Sequence, residues 1–158
     1  MKLQDITESK KNEQPGTYAA VTFDKDTVAA LEKFNKDNKI ANPNKDWHTT
    51  LLYSRKHLPN YKPEKKYQRP YRGEPTKFEI WPSQNEKKNV LVLTFSCPQL
   101  YQRHHKLMLE HGATYDFDQY KPHVTLSYDA GDLDLSTLPK FTKKLVIIGE
   151  YSEDLDTD

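Results

Sequence analysis

Apolar and polar positions along this chain alternate in short bursts, and the bursts separate strands from helices. Residues 17–23 (Thr-Tyr-Ala-Ala-Val-Thr-Phe) read as a strand, being rich in β-branched and aromatic types. Asp24 or Asp26 then provides an N-cap for a helix to about residue 38, with Val28, Leu31 and Phe34 as its apolar stripe. Asn42, Pro43 and Asn44 make a turn, and Trp47 leads into a further strand. Residues 76–81 alternate as a half-buried strand does, and 89–96 form a more continuously apolar one, with the polar run 83–88 as their hairpin loop. Pro98 opens a helix to about His111, with Leu100, Leu107 and Met108 inward and Gly112 as its stop. Residues 131–139 form a loop with at most one helical turn, and 144–151 are the last strand. Residues 1–15 are polar and aperiodic and read as a flexible leader before a single domain at 16–158.

Within this pattern one phrase occurs twice. His48-Thr49-Thr50-Leu51-Leu52-Tyr53 returns 75 positions later as His123-Val124-Thr125-Leu126-Ser127-Tyr128, both reading His-x-Thr-Leu-x-Tyr. Given the first copy, a chance match of this kind is expected roughly a few times in a thousand from the composition. Side chains on a strand alternate between faces, so His48 and Thr50 share one face, as do His123 and Thr125. Thr49, Leu51 and Tyr53, with Val124, Leu126 and Tyr128, are expected on the other face, toward the core. Each half of the chain holds a helix followed by a His-x-Thr strand. The expected fold is therefore α+β, a pseudo-two-fold, bilobal arrangement of two antiparallel or mixed sheets around a central cleft, with a helix packed on each.

At 158 residues and 18.5 kDa the chain can bury a core without covalent staples. Cys97 is its single cysteine, so no intrachain disulfide is possible, and nothing near the start has the apolar length of a signal peptide or membrane span. A soluble, cytoplasmic protein without a membrane partner is expected. The net charge of +1 conceals a local excess: between Arg55 and Arg72 seven Lys and Arg stand against Glu64 alone, interleaved with Tyr61, Tyr67 and Tyr71. Pro59, Pro63, Pro70 and Pro75 mark this stretch as a long irregular connection. Cations mixed with aromatic rings suit phosphates and stacked bases, as well as a merely solvated loop.

Two histidines and two threonines converging on a cleft suit phosphoryl chemistry. A neutral imidazole takes a proton from a nucleophile while a protonated one gives a proton to the leaving oxygen, and imidazole is poised for both near neutral pH. The hydroxyls of Thr50 and Thr125 hold non-bridging oxygens, pre-aligned by their two-residue offset from each histidine. No metal or other cofactor is required. There is no Gly-rich phosphate loop or Gly-x-Ser-x-Gly elbow, and Cys97 has no base suggested beside it, which argues against covalent catalysis. His104 and His111 share a helix face, but without a cysteine or a placed carboxylate they read better as satisfied or surface histidines than as metal ligands.

The paired His-x-Thr strands resemble those of the 2H (two-histidine) phosphoesterase superfamily, which includes the LigT-type RNA phosphodiesterases. Residues 16–21, 48–55, Trp81-Pro82, 110–116 and 121–128 make the chain most similar to the bacteriophage anti-CBASS nucleases of that superfamily. The resemblance implies cyclic di- and trinucleotides as substrates, with no duplex nucleic acid partner. A ribose 2′-hydroxyl would attack the adjacent 3′,5′ phosphodiester and leave a 2′,3′-cyclic phosphate, destroying an immune signal in the host bacterial cytoplasm. It also implies His48 and His123 as acid and base in an order the sequence leaves open, Thr50 and Thr125 on the phosphate, Tyr18 and Trp81 on a nucleobase, and Glu150 on the base or ribose. Two rival readings are an RNA 2′,3′-cyclic phosphodiesterase and a non-catalytic nucleotide-binding module.

Overall fold

Local signals set the elements before packing does. In the computed structural model, which describes residues 14–83 and 87–155, α1 spans Lys25–Asp37. Its N-terminus is capped by Asp24, whose carboxylate accepts from the Thr27 amide at 2.8 Å. The second helix, α2, spans Pro98–His111, with Pro98 in its first turn and Gly112 ending it in the left-handed conformation at φ 62°. The strands are β1 (Gly16–Phe23), β2 (His48–Ser54), β3 (Tyr71–Pro82), β4 (Asn89–Ser96), β5 (His123–Ser127) and β6 (Leu145–Leu155), with one 3-10 turn at Leu135–Thr137. Most of the expected leader (1–13), the centre of the 83–88 hairpin loop (84–86) and the last acidic residues (156–158) lie outside the described residues.

Among the described residues the strands form a six-stranded sheet in the order β2-β1-β6-β3-β4-β5, every pair antiparallel. Its two three-stranded arms, β2-β1-β6 and β3-β4-β5, meet where Tyr71, Arg72 and Gly73 pair with Ile147, Val146 and Leu145. The protein is α+β, as the element order requires. Beyond Ile147 the edge of β6 is taken over by the basic connection, whose Tyr67 amide donates to Ile148 at 2.7 Å and whose Glu64 carbonyl accepts from Glu150 at 2.8 Å. The expected loop is thus shorter than its prolines imply. Strand β3 begins at Tyr71 and runs through Pro75 at a register shift, where a missing N–H is tolerated.

Each helix covers the arm of the other half. Phe34 of α1 stacks on Phe78 of β3 at 5.0 Å, and Asn35 donates to the Leu126 carbonyl of β5 at 3.0 Å. From α2, His104 bonds the Leu51 carbonyl of β2 at 2.7 Å. Leu31, Leu51, Leu91, Leu100, Leu126 and Leu145 are fully buried between these layers, each contributing about 1.5–3 kcal/mol of apolar burial. The crossing of helices draws the free edges of the sheet together, so that the Thr49 hydroxyl of β2 donates to the His123 carbonyl of β5 at 2.7 Å.

The repeat carries a bulge at the same place in both copies. Leu52 pairs with Ala19 but Thr50 with Ala20, and Ser127 pairs with Leu91 but Thr125 with Val92, leaving Leu51 and Leu126 as the extra residues. A bulge reverses the period-two parity beyond it. Leu51 and Leu126 are core as expected, but Tyr53 and Tyr128 are not. Tyr53 turns to the face of Tyr18, ring centroids 6.3 Å apart, and Tyr128 is 50% exposed.

Candidate active site

Strand pairing puts the chemistry on one face. Through register, Thr22 aligns with His48 and Ala20 with Thr50 on one arm, while Lys77 and Thr94 align with His123, and Glu79 and Val92 with Thr125, on the other. Because β2 and β5 abut, the two His-x-Thr pairs line one cleft, and His123 lies near enough to His48 to feel its charge. The structure therefore brings His48, Thr50, His123 and Thr125 together.

The histidines are held in the same way. His48 donates from Nδ1 to the Asp46 carbonyl at 2.9 Å, and His123 from Nδ1 to the Lys121 carbonyl at 3.0 Å. A carbonyl can only accept, so Nδ1 carries the hydrogen in both rings and Nε2 is left for the cleft. Anchoring two residues back along each strand fixes ring orientation without a side chain of any particular type, which is why no sequence signal announces it.

The surroundings of the two rings differ. Burial pushes the His123 imidazole below its ordinary range, opposed by the Lys121 carbonyl and reinforced by His48 and the Lys121 charge. Trp81 packs on it, ring centroids 4.3 Å apart. Trp81 in turn donates from Nε1 to Glu79 at 3.0 Å, and Glu79 pairs with Lys121 at 2.9 Å. His48 instead has the Asp46 carboxylate 3.7 Å from Nδ1 and the Tyr18 ring edge-on at 6.4 Å. The Tyr18 phenol lies 3.0 Å from the Thr50 hydroxyl, and burial pushes its pKa well up. Tyr120 donates to the Thr50 carbonyl at 2.6 Å while stacking on His104 at 4.1 Å, so strand β2 is buttressed directly behind the site.

Trp81 and His123 also form one end of a cavity of about 280 Å³, completed by Tyr115, Phe117, Gln119 and Lys121. Phe117, at its rim, is 67% exposed. Sequence reading passed over Glu79, Lys121, Phe117 and Tyr120. Only the proximity of Lys121 to His123 offered a hint, because the others are brought in from β3 and from the connection before β5.

Glu150 is not brought to the cleft. It pairs in register with Val21, next to residues on the histidine face, and so points to the opposite side of the sheet, where its side chain is 0% exposed. There it accepts from Tyr61 (2.8 Å), Tyr67 (2.6 Å), the Glu64 amide (3.0 Å) and Arg103 Nε (2.6 Å) and Nη2 (3.1 Å). It thereby ties the basic connection to α2, and among the predicted site residues it is the one placed away from the histidine face. On β6 the residues that share the face of Tyr18 and Ala20 are Glu153 and Tyr151. Burial, with Asp46 next in effect, pushes the Tyr151 phenol up to about 12. His104 and His111 face Leu51 and Tyr61 respectively.

Comparison with known proteins now decides the kinship, since residues 15–158 match the family described as anti-CBASS protein Acb1. This chain belongs to the Acb1 family. It is 35% identical over 158 residues to the Acb1 of Acinetobacter phage Ac42, covering 99% of this chain and 97% of that one. It is 33% identical to the Acb1 of Enterobacteria phage T4 over 153 residues, 94% and 93% of the two chains. Among solved structures, Escherichia coli LigT complexed with NADP+ superposes with a TM-score of 0.53 at 13% identity, over 89% of this chain and 87% of the other. The Acb1 family chain thus has a LigT-like fold. No described helix is long and apolar enough to cross a membrane.

Proposed function

We propose that this Acb1 family chain is a phosphodiesterase that cleaves the 3′,5′ bonds of cyclic di- and trinucleotides and so blocks CBASS antiphage signalling in the cytoplasm of the infected host. The observation that carries the reading is the matched pair of imidazoles on abutting edge strands. Each is anchored through Nδ1, each leaves Nε2 to the cleft, and each has a threonine hydroxyl two residues on. One histidine takes the proton from a ribose 2′-hydroxyl as O2′ bonds to phosphorus. The other protonates O5′ as the P–O5′ bond breaks, giving a 2′,3′-cyclic phosphate and a free 5′-hydroxyl. Thr50 and Thr125 hold the non-bridging oxygens where charge accumulates. Trp81 and the cavity beside His123 offer a flat, apolar seat for one base. None of these groups needs a metal to act.

The test is incubation of the purified protein with cyclic di- and trinucleotides, and separately with RNA ending in a 2′,3′-cyclic phosphate, in the presence of a chelator, with products identified by mass. Linear products bearing 2′,3′-cyclic phosphate are expected. Replacing the 2′-hydroxyl at the scissile linkage with hydrogen abolishes cleavage, and a mixed-linkage ring is cut only at its 3′,5′ bond. Intact rings overturn the reading: opened RNA ends alone point to an RNA-end enzyme, and tight binding without turnover to a binding module.

A further inference from the structure

The two copies of the repeat are alike in backbone, yet the charged groups around them are not, and the difference assigns the two proton-transfer roles. We infer that His123 is the general base that deprotonates the 2′-hydroxyl and that His48 is the general acid that protonates the leaving O5′, with the Asp46 carboxylate as the positioning counter-charge of the acid. This rests on the phosphodiesterase reading above and concerns the order in which its two histidines act.

Concerted acid and base catalysis needs one neutral and one protonated imidazole, and two rings close enough to feel each other are not both charged at little cost. His48 has a carboxylate within 3.7 Å of Nδ1, the Asp46 carbonyl bonded to that nitrogen, the Tyr18 ring from β1 edge-on to it, and His123 from β5 near enough to interact with its charge. Asp46 itself is bordered by the Tyr128 and Tyr151 phenols. No carboxylate bonds to His123 Nδ1; that position is filled by the Lys121 carbonyl. The ring is packed under Trp81, and the nearest charges are the Lys121 ammonium, the Glu79 carboxylate paired with it at 2.9 Å, and His48. The Lys121 and Glu79 charges offset each other. What remains is an enclosed ring facing a second imidazole, the setting that keeps a base neutral, opposite a ring with a carboxylate at hand as counter-charge to the proton an acid must carry. A neutral His123 with hydrogen on Nδ1 presents the Nε2 lone pair to O2′. A protonated His48 presents Nε2–H to O5′. After one turnover the proton sits on His123 and has left His48, and exchange with water resets both.

The experiment replaces O5′ of the scissile linkage in a cyclic dinucleotide with sulfur. A thiolate leaves without prior protonation, its conjugate acid having a pKa of about 8.5 for an ordinary thiol, so loss of the acid matters little while loss of the base matters as before. His48→Ala and His48→Gln are expected to lose about 100-fold or more on the oxygen substrate and at least about tenfold less than that on the sulfur substrate, whereas His123→Ala loses equally on both. Asp46→Asn keeps the backbone carbonyl but removes the charge. It is expected to lose about 2- to 5-fold on the oxygen substrate at low salt, less as salt rises, and to lose nothing on the sulfur substrate, because an exposed pair contributes little and is screened. Rescue of His123→Ala in place of the His48 variants reverses the roles and overturns the assignment. Equal losses of the His48 variants on both substrates overturn it as well. A wild-type chain that leaves the oxygen and sulfur rings intact overturns the phosphodiesterase reading, and the assignment falls with it.

Discussion

His104 donates from Nδ1 to the carbonyl of Leu51 across 2.7 Å, and that carbonyl belongs to the bulged residue of the first His-x-Thr strand. Asn35 does the same for Leu126 in the second strand. In both copies a bulge that turns the following tyrosine toward the cleft leaves a main-chain acceptor behind, and a buried polar side chain on the opposing helix satisfies it. The two His-x-Thr strands are therefore shaped from behind by helix residues that bond their main chain.

His104 carries a pH signature. Burial holds its imidazole below the ordinary value of 6.5, so the unfolded chain binds a proton there that the folded chain does not. Stability should therefore fall as pH drops below about 6.5, with His123 contributing in the same direction. Thermal unfolding between pH 5 and 8 is expected to show this slope, and His104→Gln to flatten it. His104→Ala, which strands the Leu51 carbonyl and exposes the stacked face of Tyr120, should cost about 2–4 kcal/mol in denaturant titration.

Tyr18 orients a hydroxyl. For Thr50 to donate to a phosphate oxygen it must accept from the Tyr18 phenol 3.0 Å away. Tyr18→Phe keeps the ring and removes only that donor. A loss of about 0.5–1.5 kcal/mol in transition-state stabilisation, roughly 2- to 12-fold in kcat/KM, is expected with unchanged melting temperature.

Trp81 is the base platform of the proposed site. Its truncation to alanine should weaken nucleotide binding by about 1–3 kcal/mol, roughly 5- to 150-fold in Kd or KM. The substitution also frees Glu79 from the indole N–H and uncovers His123. The acidic limb of the pH–rate profile is expected to move up as that ring becomes solvated. Binding that is unchanged in calorimetry would place the base elsewhere.

Glu150 should matter to the fold. Burial, the largest influence on its carboxyl, pushes the pKa up, but Arg103, Tyr67, the Glu64 amide and Tyr61 together hold it below the ordinary range. The stability it confers is present above about pH 4.5 and is lost as pH falls through the depressed value. Removing one partner of a buried ion pair costs about 3–5 kcal/mol. Glu150→Gln is expected to lower stability by that order, and to speed amide exchange at Glu64 and Tyr67, whose connection it tethers. A variant as stable as the wild type with weaker substrate binding would restore the residue to the cleft.

The sequence alone determined a great deal here. Caps, prolines and apolar periods signalled both helices and the strands among the described residues, though not the first residues of β3 that join the arms, because those signals act within a few residues, and the repeated phrase singled out His48, Thr50, His123 and Thr125 as candidates because groups on one strand face need a spacing of two. Tertiary structure decided what period and spacing cannot express. A one-residue bulge sent Tyr53 and Tyr128 off the core face, and register turned Glu150 away from the cleft and Tyr151 toward it. The crossing of the helices brought the two edge strands into contact. Each of these depends on how one strand is paired with another far away in the chain, which is a property of the sheet and not of any stretch within it.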